Sequence, residues 1–203
     1  MITLYHAPQS RSSRIIWLLE EIGAPYDIHP VSIFRPLSGE GAPDPANPHP
    51  DQRVPAIQHD GALIAESVAI VLYLTDAFPQ AKLGPAVGDP RRGAYLTWLA
   101  WYAAELEPCM LAAMGGELAD APMKQRRYDT MIRRLGTILV QQPYLMGEDF
   151  TGADLLVASA IMFGRRVFPA GDPFDAHVSR CKSRPAAQRG IGLDAASGLQ
   201  NAA

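Results

Sequence analysis

Apolar residues at the start of the chain follow strand spacing and then helix spacing. Residues 2–5 predict a short strand. Four apolar residues then recur at positions i, i+3, i+4 and i+7, the spacing of one helical face: Ile15, Leu18, Leu19 and Ile22. Gly23 and Pro25 are expected to end this helix. Residues 26–33 predict a second, parallel strand, and Pro30 within it indicates a sheet edge because proline cannot donate to a ladder.

A hairpin and another helix are predicted next. Residues 34–53 are rich in Pro, Gly and Asp and therefore predict a loop. Two short apolar runs, residues 56–59 and 62–65, flank Asp60-Gly61, which is a strong hairpin signal. Ser67 is expected to cap a helix whose buried face carries Ile70, Val71 and Leu74. The order strand–helix–strand, then strand–strand–helix, predicts a small α/β domain over residues 1–78.

The second half of the chain predicts only helices. Residues 79–89 contain several Pro and Gly and predict a linker. Apolar spacing then predicts four helices: residues 94–118, 123–140, 153–167 and 174–181. The tail after Arg189 is small and polar, so we expect it to be mobile. The predicted fold class is therefore an α/β domain followed by an all-helical domain over residues 90–203.

Composition excludes several classes of function. With 203 residues and 48% hydrophobic residues, the chain is long and apolar enough for a globular core. The net charge of −3 and the scattered basic residues argue against nucleic acid as a partner. No apolar run reaches the length of a membrane span, and the start carries no secretory signal pattern, so a cytoplasmic protein is expected. Cys109 and Cys181 are far apart and lack metal-ligand spacing, which predicts reduced thiols and no metal.

A helix-start motif lies in the helical half. Thr151 is placed as N-cap with Asp154 three residues later, and Phe150 and Leu155 flank them. This pattern is a capping box with a hydrophobic staple. We interpret it as structural, because any well-defined helix start can carry such a motif.

The most informative segment for function is Val54-Pro55 followed by Glu66-Ser67. A proline beside a buried strand predicts a cis peptide bond before it. Such a turn would leave the backbone N–H and C=O groups of Val54 free to pair with a ligand. The strand edge and the start of the helix at Ser67 are then expected to face one cleft. Such a cleft suits a small extended peptide that carries a carboxylate.

The chain resembles the cytosolic glutathione transferases over about residues 1–190. The resemblance does not assign it to one class within that family, and we expect a bacterial member. Four motifs carry the resemblance in this order: Leu4-Tyr5-His6-Ala7-Pro8 with Ser10-Arg11-Ser12-Ser13-Arg14 and Trp17-Leu18-Leu19-Glu20-Glu21-Ile22-Gly23; Asn47-Pro48 with Arg53-Val54-Pro55-Ala56; Glu66-Ser67 with the helix up to Tyr73-Leu74; and the Thr151–Asp154 box. The resemblance implies a thioredoxin-like N-terminal domain, a helical C-terminal domain, a homodimer and a role in detoxification. It also implies glutathione as co-substrate.

Four residues are candidates for binding glutathione. Ser67 offers a hydroxyl and helix-start amides to the γ-glutamyl carboxylate, and Glu66 offers an acceptor for the amine. The Val54 backbone would pair with the cysteinyl unit, and Arg53 would reach the glycyl carboxylate. The alternatives are a plain helix cap for Ser67 and solvated surface charges for Glu66 and Arg53.

The glutathione thiol needs activation, because the thiolate is the nucleophile. A hydroxyl that donates to sulfur favours the charged form. The turn before the first helix offers Ser10, then Ser12, as catalytic candidates, whereas Ser13 is interpreted as a helix cap. In the alternative interpretation all three serines only cap the helix, and Arg11 or Arg14 stabilises the thiolate.

The second substrate is expected to be a small apolar electrophile. Trp98, Trp101 and Tyr102 are spaced to share one helix face and are candidates for its pocket. The alternative is that these aromatic residues belong to the helical core. Other functions on the same fold stay open: a glutathione-dependent peroxidase, isomerase or dehalogenase, or a non-catalytic binding or regulatory protein.

Overall fold

The structure is a computed structural model that describes residues 1–200, with side chains to residue 197. The chain forms two compact units. The first comprises Met1–Ala81 together with the segment from Arg184, and the second is Lys82–Ser183. The predicted helical domain of residues 90–203 therefore differs from the observed grouping, because the last segment packs with the first unit.

A four-stranded mixed sheet forms the centre of the first unit. Its strands are β1 (Ile2–His6), β2 (Tyr26–Pro30), β3 (Ala56–His59) and β4 (Ala62–Ala65), in the spatial order β2-β1-β3-β4. β2 is parallel to β1, whereas β3 pairs antiparallel with both β1 and β4. β2 lies at the edge of the sheet, as Pro30 predicts, but it ends at Pro30 and not at residue 33. The hairpin at Asp60-Gly61 is also present, with both residues at positive φ.

Three helices complete the first unit: α1 (Ser13–Ile22), α2 (Ser67–Ala77) and the C-terminal helix, which is numbered α8 below (Pro185–Gln200). Gly23 ends α1 in the left-handed conformation, as expected of a C-terminal glycine. The predicted apolar faces of α1 and α2 are buried except at Ile22, which is half-buried at the end of α1.

The C-terminal helix α8 corrects the prediction of a mobile tail after Arg189. It packs along α1, where Arg184 pairs with Glu21 and Arg189 pairs with Glu20 at 2.6 Å each. Gly190 permits this close approach, because a Cβ there would lie 2.9 Å from the Cα atom of Trp17. The part of the predicted tail at residues 201–203 lies outside the described residues.

The second unit is helical throughout its named elements. Its helices are α3 (Arg92–Trp101), α4 (Glu107–Met114), α5 (Pro122–Gln141), α6 (Gly152–Phe163) and α7 (Phe174–Lys182). A π-helical turn, Tyr102–Leu106, joins α3 to α4, so the helix predicted over residues 94–118 exists with an irregular centre. The capping box of Thr151 and Asp154 is confirmed at the start of α6. Within the described residues, no helix is long and apolar enough to span a membrane.

Candidate functional site

The sheet brings three loop segments of the first unit to one end. β1 pairs with β3 through Tyr5 and Ala56, and β3 pairs with β4 through Ala56 and Ala65. The residues after β1, before β3 and after β4 therefore emerge side by side. Ala7 and Val54 also belong to one buried apolar cluster. We call the turn after β1, which carries Ser10, Ser12 and Ser13, the serine turn. The predicted juxtaposition of the serine turn, Val54 and Ser67 follows directly from this register.

Val54 presents an unpaired backbone at this end of the sheet. The Val54–Pro55 peptide bond is cis, as the sequence predicts. Among the described residues, the N–H and C=O groups of Val54 have no backbone hydrogen-bond partner, because Val54 precedes the paired part of β3. These groups have the arrangement that an added peptide strand requires.

Ser67 carries a buried hydroxyl without a partner in the part of the chain that the structure describes. The residue is 7% exposed, and its Oγ atom makes no hydrogen bond. An unpaired buried hydroxyl is costly unless a ligand satisfies it. The residue opens α2, where backbone amides and the helix dipole favour an anion. No side chain caps this helix start, so the position suits a ligand carboxylate rather than the plain helix cap considered above.

Glu66 and Arg53 flank this position with exposed charges. Glu66 has φ of 69°, a left-handed conformation that a non-glycine residue adopts rarely. This backbone places Ser67 at the first position of α2. Arg53 is exposed, and its backbone carbonyl accepts a hydrogen bond of 2.9 Å from the side-chain amide of Asn47. Asn47 is 2% exposed and so anchors the loop that carries Arg53 and Val54.

The serine turn after β1 is tied together by its own hydroxyls. The partly exposed Ser10 lies with its Oγ atom 2.6 Å from the carbonyl oxygen of Ala7 and 2.7 Å from Ser12 Oγ. Ser12 is 0% exposed, so it reaches a ligand only through Ser10 in this structure. Gln9, at φ of 53°, forms the sharp bend before these serines.

Two residues that sequence reasoning missed complete this turn. Asp194 of α8 accepts a 2.6 Å hydrogen bond from Ser13 Oγ and a 3.1 Å bond from the backbone N–H of Gln9. Ser13 therefore contacts α8, whereas the residue before the first helical position is Ser12. His6, 0% exposed, lies with Nδ1 2.8 Å from Ser12 Oγ and Nε2 3.3 Å from Asp194 Oδ1.

Three arginines lie on or near the same turn. Arg35 donates to the carbonyl oxygens of Pro8 and Gln9 at 2.6 and 3.2 Å. Arg14 is 6% exposed within α1, and Arg11 is half-buried in the turn. Arg35, which sequence reasoning did not select, therefore stabilises the turn through these two hydrogen bonds.

The aromatic candidates for the second substrate lie in the second unit. Trp98 and Trp101 are each 8% exposed, and Tyr102 is 1% exposed. The two indole rings pack edge to face at 5.2 Å, and the guanidinium of Arg134 lies 4.9 Å from each ring centre. Trp98 also lines a shallow pocket of about 380 Å³ beside α5. These contacts favour the core interpretation for Tyr102, and a ligand role for the three residues stays a prediction.

The first unit has the thioredoxin-like architecture that the sequence predicts, with a cis proline before β3. Residues 1–76 match the family model for the glutathione S-transferase N-terminal domain. Residues 1–76 therefore belong to the family of that domain, as the resemblance implies.

Individual relatives agree with this family. The chain is 28% identical to Glutathione S-transferase 3 of Schizosaccharomyces pombe over 181 residues, 85% of this chain and 71% of that protein. It is 40% identical to the Probable maleylacetoacetate isomerase 2 of Drosophila melanogaster over 72 residues, 36% of this chain and 31% of that protein. A sphingomonad glutathione S-transferase, solved with glutathione, has a TM-score of 0.79 at 22% identity, over 95% of this chain and 98% of that one.

The described residues offer no donor set for a metal ion. No group of three or more His, Cys, Asp and Glu side chains within them is arranged to hold one. Cys109 and Cys181 are both buried, unlinked thiols.

Proposed function

We propose that the protein is a glutathione transferase that joins the glutathione thiolate to a small apolar electrophile. The observation that carries this proposal is the unpaired, buried Oγ atom of Ser67 at the start of α2. It lies at the same end of the sheet as the unpaired backbone of Val54. A tripeptide with a carboxylate at one end satisfies both features at once.

The proposed binding mode follows the chemistry of the tripeptide. The γ-glutamyl carboxylate accepts hydrogen bonds from Ser67 Oγ and the first amides of α2, while Glu66 accepts from the ligand amine. The cysteinyl unit pairs with the Val54 backbone as an added antiparallel strand. The exposed guanidinium of Arg53 pairs with the glycyl carboxylate. The sulfur is thereby directed toward the serine turn.

Ser10 is the proposed catalytic hydroxyl at this turn. A hydrogen bond from Ser10 Oγ to sulfur lowers the thiol pKa because it stabilises the charged form. Ser12, the second candidate, acts through Ser10, since its own hydroxyl is fully buried. In the free protein, the Ser10 hydroxyl lies close to Ala7 O and Ser12 Oγ, so donation to sulfur requires it to turn outward.

The remaining expectations from the family belong to the same proposal. We expect a cytoplasmic homodimer with a role in detoxification, and an apolar electrophile as second substrate. Trp98, Trp101 and Tyr102 are the proposed pocket residues for that electrophile, and Trp98 is the one of them that lines the shallow pocket.

An isomerase is the second candidate function. The 40% identity over 72 residues to the Probable maleylacetoacetate isomerase 2 of Drosophila melanogaster supports this candidate. In an isomerisation the thiolate adds to the substrate and leaves again, so glutathione is not consumed. Measuring glutathione consumption separates the two reactions.

The experiment for the proposed activity is a pH–rate profile with glutathione and a generic activated aryl halide. We expect Ser10→Ala to lower the rate near neutral pH and to recover much of it at high pH, where the thiol ionises unaided. Glutathione affinity should change less than the rate. Ser38→Ala is the control, because Ser38 is exposed and lies outside the serine turn.

Two outcomes would change the proposal. A shift in Ser12→Ala without one in Ser10→Ala would assign the role to Ser12. Saturable glutathione binding without turnover of any electrophile would support a non-catalytic binding protein instead.

A further inference from the structure

A chain of four polar groups leads from the surface of the serine turn into the first unit. Ser10 Oγ lies 2.7 Å from Ser12 Oγ, which lies 2.8 Å from His6 Nδ1. The other ring nitrogen, Nε2, lies 3.3 Å from Asp194 Oδ1. Ser12 and His6 are 0% exposed, and the Asp194 side chain is 16% exposed. Only Ser10 among the two linked serines is open to a ligand.

The carboxylate of Asp194, at the far end of the chain of polar groups from Ser10, sets the direction of these hydrogen bonds. An ionised Asp194 can only accept, so the proton of a neutral His6 belongs on Nε2, which faces it. Nε2 makes no hydrogen bond within residues 1–200, so its 3.3 Å contact with Asp194 Oδ1 acts through charge. Nδ1 is then an acceptor, and the hydroxyl of Ser12 donates to it. In this state Ser12 donates to His6, and the single proton of Ser10 is donated to Ser12 Oγ or to the carbonyl oxygen of Ala7.

Burial favours the neutral form of His6 in the free protein. Burial lowers the pKa of His6, the carboxylate of Asp194 acts to raise it, and the guanidinium of Arg35 acts to lower it. Gain of a negative charge near the Ser10 end of the chain, such as a thiolate, would favour the imidazolium. A bound thiol therefore supplies both a proton and the charge that holds it on the ring.

Protonation of Nδ1 reverses the chain. The imidazolium donates to Ser12 Oγ, and the Ser12 hydroxyl donates in turn to Ser10 Oγ, or to Ala7 O at 3.1 Å. The hydroxyl of Ser10 is then free to donate outward. Donation from Ser10 to sulfur and protonation of His6 are thus two parts of one change.

We propose that His6 is the base that receives the glutathione thiol proton through Ser10 and Ser12, and that Asp194 is the positioning residue that orients it. The S–H bond breaks and its proton passes to Ser10 Oγ. The Ser10 proton passes to Ser12 Oγ, and the Ser12 proton passes to His6 Nδ1. The products are a thiolate that accepts from Ser10 and an imidazolium beside Asp194, with no net change in charge. This inference rests on the proposed glutathione site.

The test follows the His6 ring by NMR of protein labelled with ¹⁵N in histidine. The free protein should show His6 as the neutral Nε2–H tautomer at neutral pH. Saturating glutathione should convert it to the doubly protonated form, whereas S-methylglutathione, which has no thiol proton, should not. A ring that stays neutral with glutathione bound as thiolate, or an Nδ1–H tautomer in the free protein, would overturn the inference.

Variants provide a second readout through the ultraviolet absorbance of bound thiolate. His6→Asn keeps a hydrogen-bonding group but cannot hold the proton, and Asp194→Asn removes the charge with little change in shape. Both should shift thiolate formation to higher pH and lower the neutral-pH rate by about tenfold or more. The matched control is His29→Asn, because His29 is exposed on the edge strand.

Calorimetry on the same proteins separates this inference from the proposed function. If wild type binds and conjugates glutathione, and the bound thiol ionises over the same pH range in both variants as in wild type, only the proton transfer to His6 is overturned. If wild type binds no glutathione, the proposed function and the inference are overturned together. A folding defect in His6→Asn leaves the decision to Asp194→Asn, whose side chain is partly exposed.

Discussion

Replacement of Ser67 by alanine should weaken glutathione binding without harming the fold. The Oγ atom is buried and has no partner among the described residues, so its removal breaks no internal hydrogen bond. In the complex it is expected to donate to a carboxylate, and hydrogen bonds to charged groups are worth about 1.5–3 kcal/mol. That range corresponds to a rise in Kd of about 10- to 150-fold.

The same substitution should leave the free protein as stable or make it more stable. A buried hydroxyl without a partner costs roughly 1–3 kcal/mol, and alanine is the better helix former. Thr75→Val is the matched control on the same helix, because Thr75 Oγ1 donates to the carbonyl of Leu72 at 3.0 Å. The control should lose stability and keep its affinity.

Titration calorimetry measures the glutathione affinity of wild type, Ser67→Ala and Thr75→Val, and denaturant unfolding measures their stability. Unchanged glutathione affinity in Ser67→Ala would refute the assignment of the γ-glutamyl carboxylate to this helix start. A less stable free Ser67→Ala protein would show that the hydroxyl has a structural partner, contrary to the reasoning.

Further predictions concern stability and can be read from denaturant unfolding. Gly190→Ala should lower the free energy of unfolding by about 1–3 kcal/mol, because it pushes α8 away from Trp17. Gly192→Ala is the control: a Cβ there meets open space, so it should raise the free energy of unfolding by up to about 1 kcal/mol. Equal effects of the two substitutions would contradict this packing. Burial lowers the pKa of His177 to about 4 from 6.5, so its folded state resists protonation. The free energy of unfolding of wild type should therefore rise by up to roughly 3 kcal/mol relative to that of His177→Gln as pH rises from 4 to 6.5. A difference in unfolding free energy that stays constant over this pH range would refute the prediction. Thr151→Ala should cost about 1 kcal/mol through loss of the capping box, and no loss would contradict the role of that box.

Local sequence patterns were sufficient to predict most of the fold. Strand alternation, helical spacing and the Asp60-Gly61 turn act within a few residues, so they can be read without knowledge of distant contacts. The cis Val54–Pro55 bond and the capping box of α6 were predictable for the same reason.

The C-terminal helix was missed because its sequence is a poor helix on local grounds. Residues 185–200 contain three glycines, which lower helix propensity. Packing against α1 overrides that propensity, and the glycine at position 190 is what allows the close contact with Trp17. A glycine beside a charged residue gave no signal of this pairing from the sequence alone.

The candidate site divides in the same way. Ser67, Glu66 and Val54 follow from neighbouring sequence, since the helix start and the strand entry are local features. The contact of Asp194 with His6 joins residues almost at opposite ends of the chain, so no local pattern reveals it.

The most direct test of the central claim is a crystal structure of the protein with glutathione. The account predicts the γ-glutamyl carboxylate within hydrogen-bonding distance of Ser67 Oγ, the cysteinyl unit antiparallel to Val54, and the sulfur beside Ser10. Glutathione bound with both carboxylates away from Ser67, or no bound glutathione at a saturating concentration, would contradict it.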